Sequence, residues 1–201
     1  MTTAVIPTAP ASDKRRAILA AAVRLIARTG LHNTPISAVA REAGVAAGTL
    51  YLYFPSKEAM INALYLETLE ERRRSYAEVH TPAVAGSNAR DGFWSYWQSL
   101  ALWHLDHPDE SNLLHQCQAS AILTDETRAA ELRMNTEGFA QFDDAVASGA
   151  IRPISRQVFW ALMAGPIFVL MQMRDSGELE ITEQVLQATF DGVCRSVLPA
   201  A

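Results

Sequence analysis

The run I-S-A-V-A-R-E-A-G-V-A-A-G-T-L-Y-L-Y-F from Ile36 to Phe54 constrains this chain more than any other stretch. Ile36, Val39, Ala40 and Ala43 recur at helical spacing and give one short helix a core face. Thr34 is suited to cap it, with Pro35 at the first helical position, where a missing N–H leaves no intrahelical bond unmade. Gly44 supplies the backbone freedom that a tight turn into a second helix needs. There Val45 and Leu50 can bury, while Ala47, Gly48, Thr49, Tyr51 and Tyr53 stay outside. A short, small-residued helix tipped with aromatics suits a DNA major groove. The small side chains of Ala46, Ala47 and Gly48 let backbone N–H groups come close to a phosphate.

Charge distribution points the same way. The 201 residues carry a formal charge of -5. Between Ser12 and Lys57, however, seven basic residues (Lys14, Arg15, Arg16, Arg24, Arg28, Arg41 and Lys57) face only Asp13 and Glu42, a local charge of +5 that leaves -10 on the rest. This is a basic reading head on an acidic body.

A first helix is expected from Asp13 to Thr29, with Ile18, Ala21, Ala22, Leu25 and Ile26 inward and Gly30 stopping it. Pro55 ends the third helix, and Ser56 caps a fourth that runs from Lys57 to Glu78. In it the run from Glu70 to Arg74 reads as a solvated, self-paired surface. His80 to Ser87 is a loop. Helical segments follow at Asn88–Leu105, Glu110–Leu123, Asp125–Ala147, Ser155–Arg174 and Ile181–Val197. No β alternation interrupts them, so the fold class is all-α: a three-helix head joined to a larger helical domain. The expected division is a loose tail at 1–12, a helix-turn-helix head at 13–57 and a helical effector-binding and dimerisation domain at 58–201.

With I-L-A-A-A-V-R-L-I-A-R-T-G at 18–30, V-A-R-E-A-G-V at 39–45 and G-T-L-Y-L-Y-F-P-S-K-E at 48–58, Ala17 to Leu64 resembles the DNA-binding domain of the TetR/AcrR transcriptional regulators. The resemblance implies a homodimer with two heads on one palindromic operator, and a C-terminal domain that binds an inducer. It implies that Thr34 contacts phosphate as the cap of helix 2, that Thr49 and Tyr51 lie on the recognition helix and that Tyr53 stands where the family often has His. Lys57 resembles the family's phosphate-binding lysine. Ala46 and Ala47 replace a frequent Ser-Lys pair and Leu52 a common Tyr, so affinity leans more on Arg28, Arg41 and Lys57. The last two helices would pair across the dimer axis. Their expected faces are Phe159, Leu162, Met163, Pro166, Ile167, Leu170 and Met171 around Gly165, and Val185, Leu186, Thr189, Phe190, Val193 and Val197.

For the effector, bulky apolar side chains mark an apolar pocket suited to a small hydrophobic or aromatic compound. The candidate lining is Trp94, Trp97, Trp103, His104, Glu137, Phe139, Trp160 and Met163. His104, His107 and His115 lack the further closely spaced ligands of a metal site, and Cys117 and Cys194 read as buried thiols, so neither metal nor cofactor is expected. There is no phosphate loop or nucleophilic spacing, which argues against an enzyme. No apolar run approaches a membrane span and the start lacks a signal-peptide core, so the expectation is a cytoplasmic protein. The function expected is a repressor released from its operator by the effector. The rival is a helical interaction or structural protein with a degenerate helix-turn-helix.

Overall fold

Helical periodicity carries through to a computed structural model that describes residues 11–77 and 89–199. The described residues form α1 (Ala11–Thr29), α2 (Ile36–Glu42), α3 (Ala47–Tyr53), α4 (Lys57–Ala77) and α5 (Ala89–Asp106). They continue with α6 (Pro108–Gln118), α7 (Asp125–Met134), α8 (Thr136–Ala147), α9 (Arg156–Asp175) and α10 (Glu183–Val197). The fold is all-α, an N-terminal helix-turn-helix bundle joined to a larger C-terminal helical part. Among the described residues no helix is long and apolar enough to cross a membrane.

Several boundaries differ from the sequence reading for local reasons. Ala11 and Ser12, assigned to a tail, belong to α1, while residues 1–10 and the expected loop at 80–87 lie outside the described residues. Pro108 opens α6 instead of separating helices, because the first helical position needs no N–H donor. The expected helix over 125–147 is two. Asn135 turns its side-chain amide onto the Glu131 carbonyl (3.0 Å), and its N–H is shared between the carbonyls of Glu131 (3.1 Å) and Leu132 (3.2 Å). Ser155 and Thr182 cap α9 and α10 by accepting from the amides of Val158 and Val185.

The chain divides into two units, Met1–Leu69 with Asp109–Arg128, and Glu70–Pro108 with Ala129–Ala201. The first thus keeps the start of α4 and all but the first residue of α6 with the head, across the boundary expected at 57/58. Ile18, Ala22 and Ile26 of α1 bury with Val39, Ala40 and Leu50 of the helix pair. Asn62, a buried polar residue in α4, explains the added segment. Its amide nitrogen donates to the carbonyls of Glu58 (2.8 Å) and Ile122 (2.9 Å), and its oxygen accepts from the Thr124 amide (3.0 Å). On α6, Gln116 accepts the Leu31 N–H at 2.7 Å.

The second unit is built on α5, α9 and α10, whose Phe93, Trp97, Leu100, Ile167 and Phe190 form one core. Trp97 is fully buried and donates its indole N–H to the Met163 carbonyl at 2.9 Å, satisfying a group that burial would otherwise leave unpaired. Cys117 in the first unit and Cys194 in the second are buried free thiols; burial pushes Cys117 up to about 12.

Candidate nucleic-acid interface and effector site

The turn between α2 and α3 follows from Gly44. Its φ of +67 lets its N–H reach the Arg41 carbonyl (3.1 Å) while the Val45 N–H reaches back to Ala40 (2.9 Å), closing the end of α2. Leu50 is the buried anchor of α3, and Phe54 behind it is buried beneath the guanidinium of Arg15, 5.4 Å from the ring centroid. Ala46, Ala47 and Gly48 are exposed, Thr49 and Tyr53 are half-buried and Tyr51 is 50% exposed. Leu52 is 84% exposed, so the outer face of α3 offers a bare leucine beside tyrosine and small residues.

One expected role needs correction. Thr34 does not cap α2: Pro35 occupies the N-cap position and no side chain bonds there. Thr34 is only 2% exposed, and its hydroxyl donates to the Gly30 carbonyl at 2.8 Å and lies 2.8 Å from the Thr29 hydroxyl, tying the connector to the end of α1. A hydroxyl so engaged holds the helix pair in place. Lys57 points its ammonium at the His32 carbonyl (3.0 Å), which fixes the same connector and leaves further N–H donors open.

The three cations singled out differ in how committed they are. Arg28 shares the Glu42 carboxylate with Arg24, at 3.7 and 3.4 Å, a pair of contacts that locks α1 against α2. Arg41 is exposed and makes no ion pair among the described residues. At the entrance to α4, Ser56 accepts the Ala59 amide at 3.1 Å, as the sequence indicates.

In the second unit the expected effector residues fall into separate groups. Trp94 and Trp97 pack with Phe190, at ring distances of 4.8 and 5.8 Å, and Met163 is buried in the same core. Trp103 and His104 form another group, with rings edge-on at 5.1 Å and Phe168 edge-on to His104 at 5.2 Å. His107 stacks on Trp103 at 4.9 Å. Trp160 lies under the guanidinium of Arg72, 5.5 Å from the ring centroid. Phe139 is covered by Arg156 at 4.9 Å, and Glu137 faces solvent.

A model of the bacterial regulatory proteins of the tetR family matches residues 18–64, the segment that carries α2, the Gly44 turn and α3. A solved tetR-family transcription regulator from Marinobacter aquaeolei VT8 superposes with a TM-score of 0.81 at 25% identity, over 92% of this chain and 96% of that one. The segment 18–64 therefore belongs to the tetR family of bacterial regulatory proteins. It is 46% identical over 52 residues to a fatty acid metabolism regulator protein of Bacillus subtilis (26% of this chain, 27% of that one). It is 28% identical over 159 residues to the HTH-type transcriptional regulator RutR of Escherichia coli K12 (75% and 72%). The chain spans only 27% of the length of the first two curated relatives it matches, so similarity to these two is confined to about a quarter of each.

One feature of the chain escaped the sequence reading. Glu70 is paired with Arg73 and Arg74, both at 2.9 Å, as a solvated run should be, but Arg72 between them is only 6% exposed. The signal was available in the spacing. Ile61, Tyr65 and Thr68 are buried at intervals of one helical turn, and Arg72 is the next position on that stripe.

Proposed function

We propose that the protein is a DNA-binding transcription regulator, a repressor that acts in the cytoplasm as a homodimer on a palindromic operator and is released by a small hydrophobic or aromatic effector. One observation carries the reading. The family-matched segment presents α3 with Leu50 buried and Ala47, Gly48, Tyr51 and Leu52 outside, flanked by Lys57 and by Arg41, which has no ion pair among the described residues. Tyr51 and Thr49 are the proposed readers of base edges or flanking phosphates, with Tyr53 beside them. Arg41, Lys57 and the backbone at Ala46, Ala47 and Gly48 supply positioning contacts, and Arg28 a weaker one because Glu42 holds it. Thr34 supports the arrangement from inside.

The effector belongs to the second unit. Its core residues Trp97 and Met163 serve packing, which leaves Trp103, His104 and Trp160 as the preferred contacts, with Trp94 and Phe139 peripheral. Coupling requires the effector to favour one spacing of the two heads over the other.

Selection of duplexes from a random pool, followed by titration of the recovered sequence at several salt concentrations, tests this reading. Recovery of a palindrome bound with steep salt dependence supports it. If no duplex is enriched and no salt-dependent binding appears, the helix-turn-helix does not read DNA and the rival interaction protein takes its place.

A further inference from the structure

Leu52 is the most exposed large apolar side chain among the described residues, at 84%. Its place on α3 sets that exposure. Each helical residue advances about 100°, so Leu52 stands about 200° round from the buried anchor Leu50, on the opposite side of the helix. Gly48 lies one turn before it on the same line, and because helical side chains lean towards the N-terminus, Leu52 leans over the glycine.

Gly48 supplies a second observation. Its φ is not positive, and a Cβ built on it meets nothing within 4 Å, so neither the backbone nor packing inside the chain calls for glycine. Alanine is the better helix former at such a position. What the missing side chain leaves is room on the outer face of α3, directly beside the exposed leucine.

The surroundings select what covers this face. Arg41 and Lys57 flank α3, and the segment from Ser12 to Lys57 carries a local charge of +5, which favours a polyanion. Leucine has no donor or acceptor with which to read a base. Of the groups that base pairs present in the major groove, one is apolar, the 5-methyl of thymine. We propose that Leu52 packs on the 5-methyl of a thymine in each operator half-site, and that Gly48 lets α3 come close enough for that contact. Cytosine at the same position offers a hydrogen in place of the methyl and an N4 amine that leucine cannot accept from, so it is disfavoured twice. The inference rests on the preceding reading of α3 as the reading helix and adds the base that it selects.

The test uses the full chain and the operator recovered by selection, with each thymine replaced in turn, in both half-sites together, by deoxyuridine, which lacks only the methyl. At one position the wild type should lose about fourfold per half-site, about fifteenfold for the pair, the effect of withdrawing one buried methyl from each contact. Leu52→Ala should bind the thymine operator more weakly by at least that factor and be indifferent to deoxyuridine at that position. Its melting temperature should stay that of the wild type, because the side chain is exposed. Gly48→Ala should melt no lower than the wild type and bind the operator at least about tenfold more weakly. An operator without thymine in its half-sites, or a Leu52→Ala protein as tight as the wild type or as sensitive to every deoxyuridine, overturns the proposal. Unchanged affinity in Gly48→Ala does the same. Any of these results with a selected palindrome still bound spares the DNA-binding reading, whereas failure to bind any duplex overturns that reading and this proposal together.

Discussion

On the proposed reading, Thr49 reads the duplex and Lys57 positions it. Lys57→Ala is expected to weaken operator and unrelated duplexes by similar factors and to lower the salt slope by about one contact per head. Thr49→Ala should instead change the ranking of operator variants more than non-specific affinity, and isotherms on matched and mismatched duplexes distinguish the two. His104 makes a prediction of a different kind. Burial first and the charge of Arg72 next push its folded form down to about 3, whereas in an unfolded chain an imidazole titrates near 6.5. The stability tied to it is therefore complete above about pH 7 and is lost as pH falls from about 6.5 towards 3, on the order of 5 kcal/mol in all. Urea midpoints measured across that range should fall more steeply for the wild type than for His104→Gln. Side-chain roles were harder to read from sequence than helices were. Thr34 looked like a cap because residue type and position agreed, but the hydroxyl chose the end of the preceding helix. Arg72 looked solvated because its neighbours are charged, whereas the helical stripe that carries it inward is a property of residues three and four positions away.

Among the elements, the α2–α3 turn is the most sharply specified. Gly44 sits at φ +67, and a Cβ built there meets nothing within 4 Å, so Gly44→Ala adds backbone strain and no clash. The expected cost is about 1–2 kcal/mol, read as a lower urea midpoint with unchanged slope, and Gly44→Asn should cost less because asparagine tolerates this region. The helices themselves were legible from apolar periodicity, and the capping residues Ser56, Ser155 and Thr182 from residue type. The break at Asn135 was not. It depends on one side-chain amide folding back on its own helix, which no periodicity records. The apolar faces of α9 and α10 were found correctly as apolar, but part of them, Met163, Ile167, Leu170, Leu186 and Phe190, lies in the chain's own core with α5. Periodicity says that a face is covered, and leaves open by what.

For the whole molecule, that core narrows the proposed dimer surface to the outer side of α9. Val158, Leu162, Gly165 and Val169 follow one another at intervals of one helical turn along α9, and Val158 and Val169 are 48% and 53% exposed. A side chain added at Gly165 meets nothing within 4 Å in the single chain. Gly165→Arg is therefore expected to leave the melting of an isolated chain nearly unchanged, to shift sedimentation from dimer to monomer at micromolar concentration and to weaken operator binding. A wild-type monomer at that concentration would contradict the dimer.

Gln116, far along the chain from the reading head, holds the backbone amide of Leu31, and the next residue's carbonyl is held by Lys57. The short connector that aims α2 and α3 is thus clamped from α6 on one side and α4 on the other. The Leu31 amide proton becomes a gauge of that clamp. In hydrogen-exchange spectra it should be slow while Gln116 is seated and fast when α6 withdraws, so a single resonance reports how firmly the head is aimed before any duplex is added.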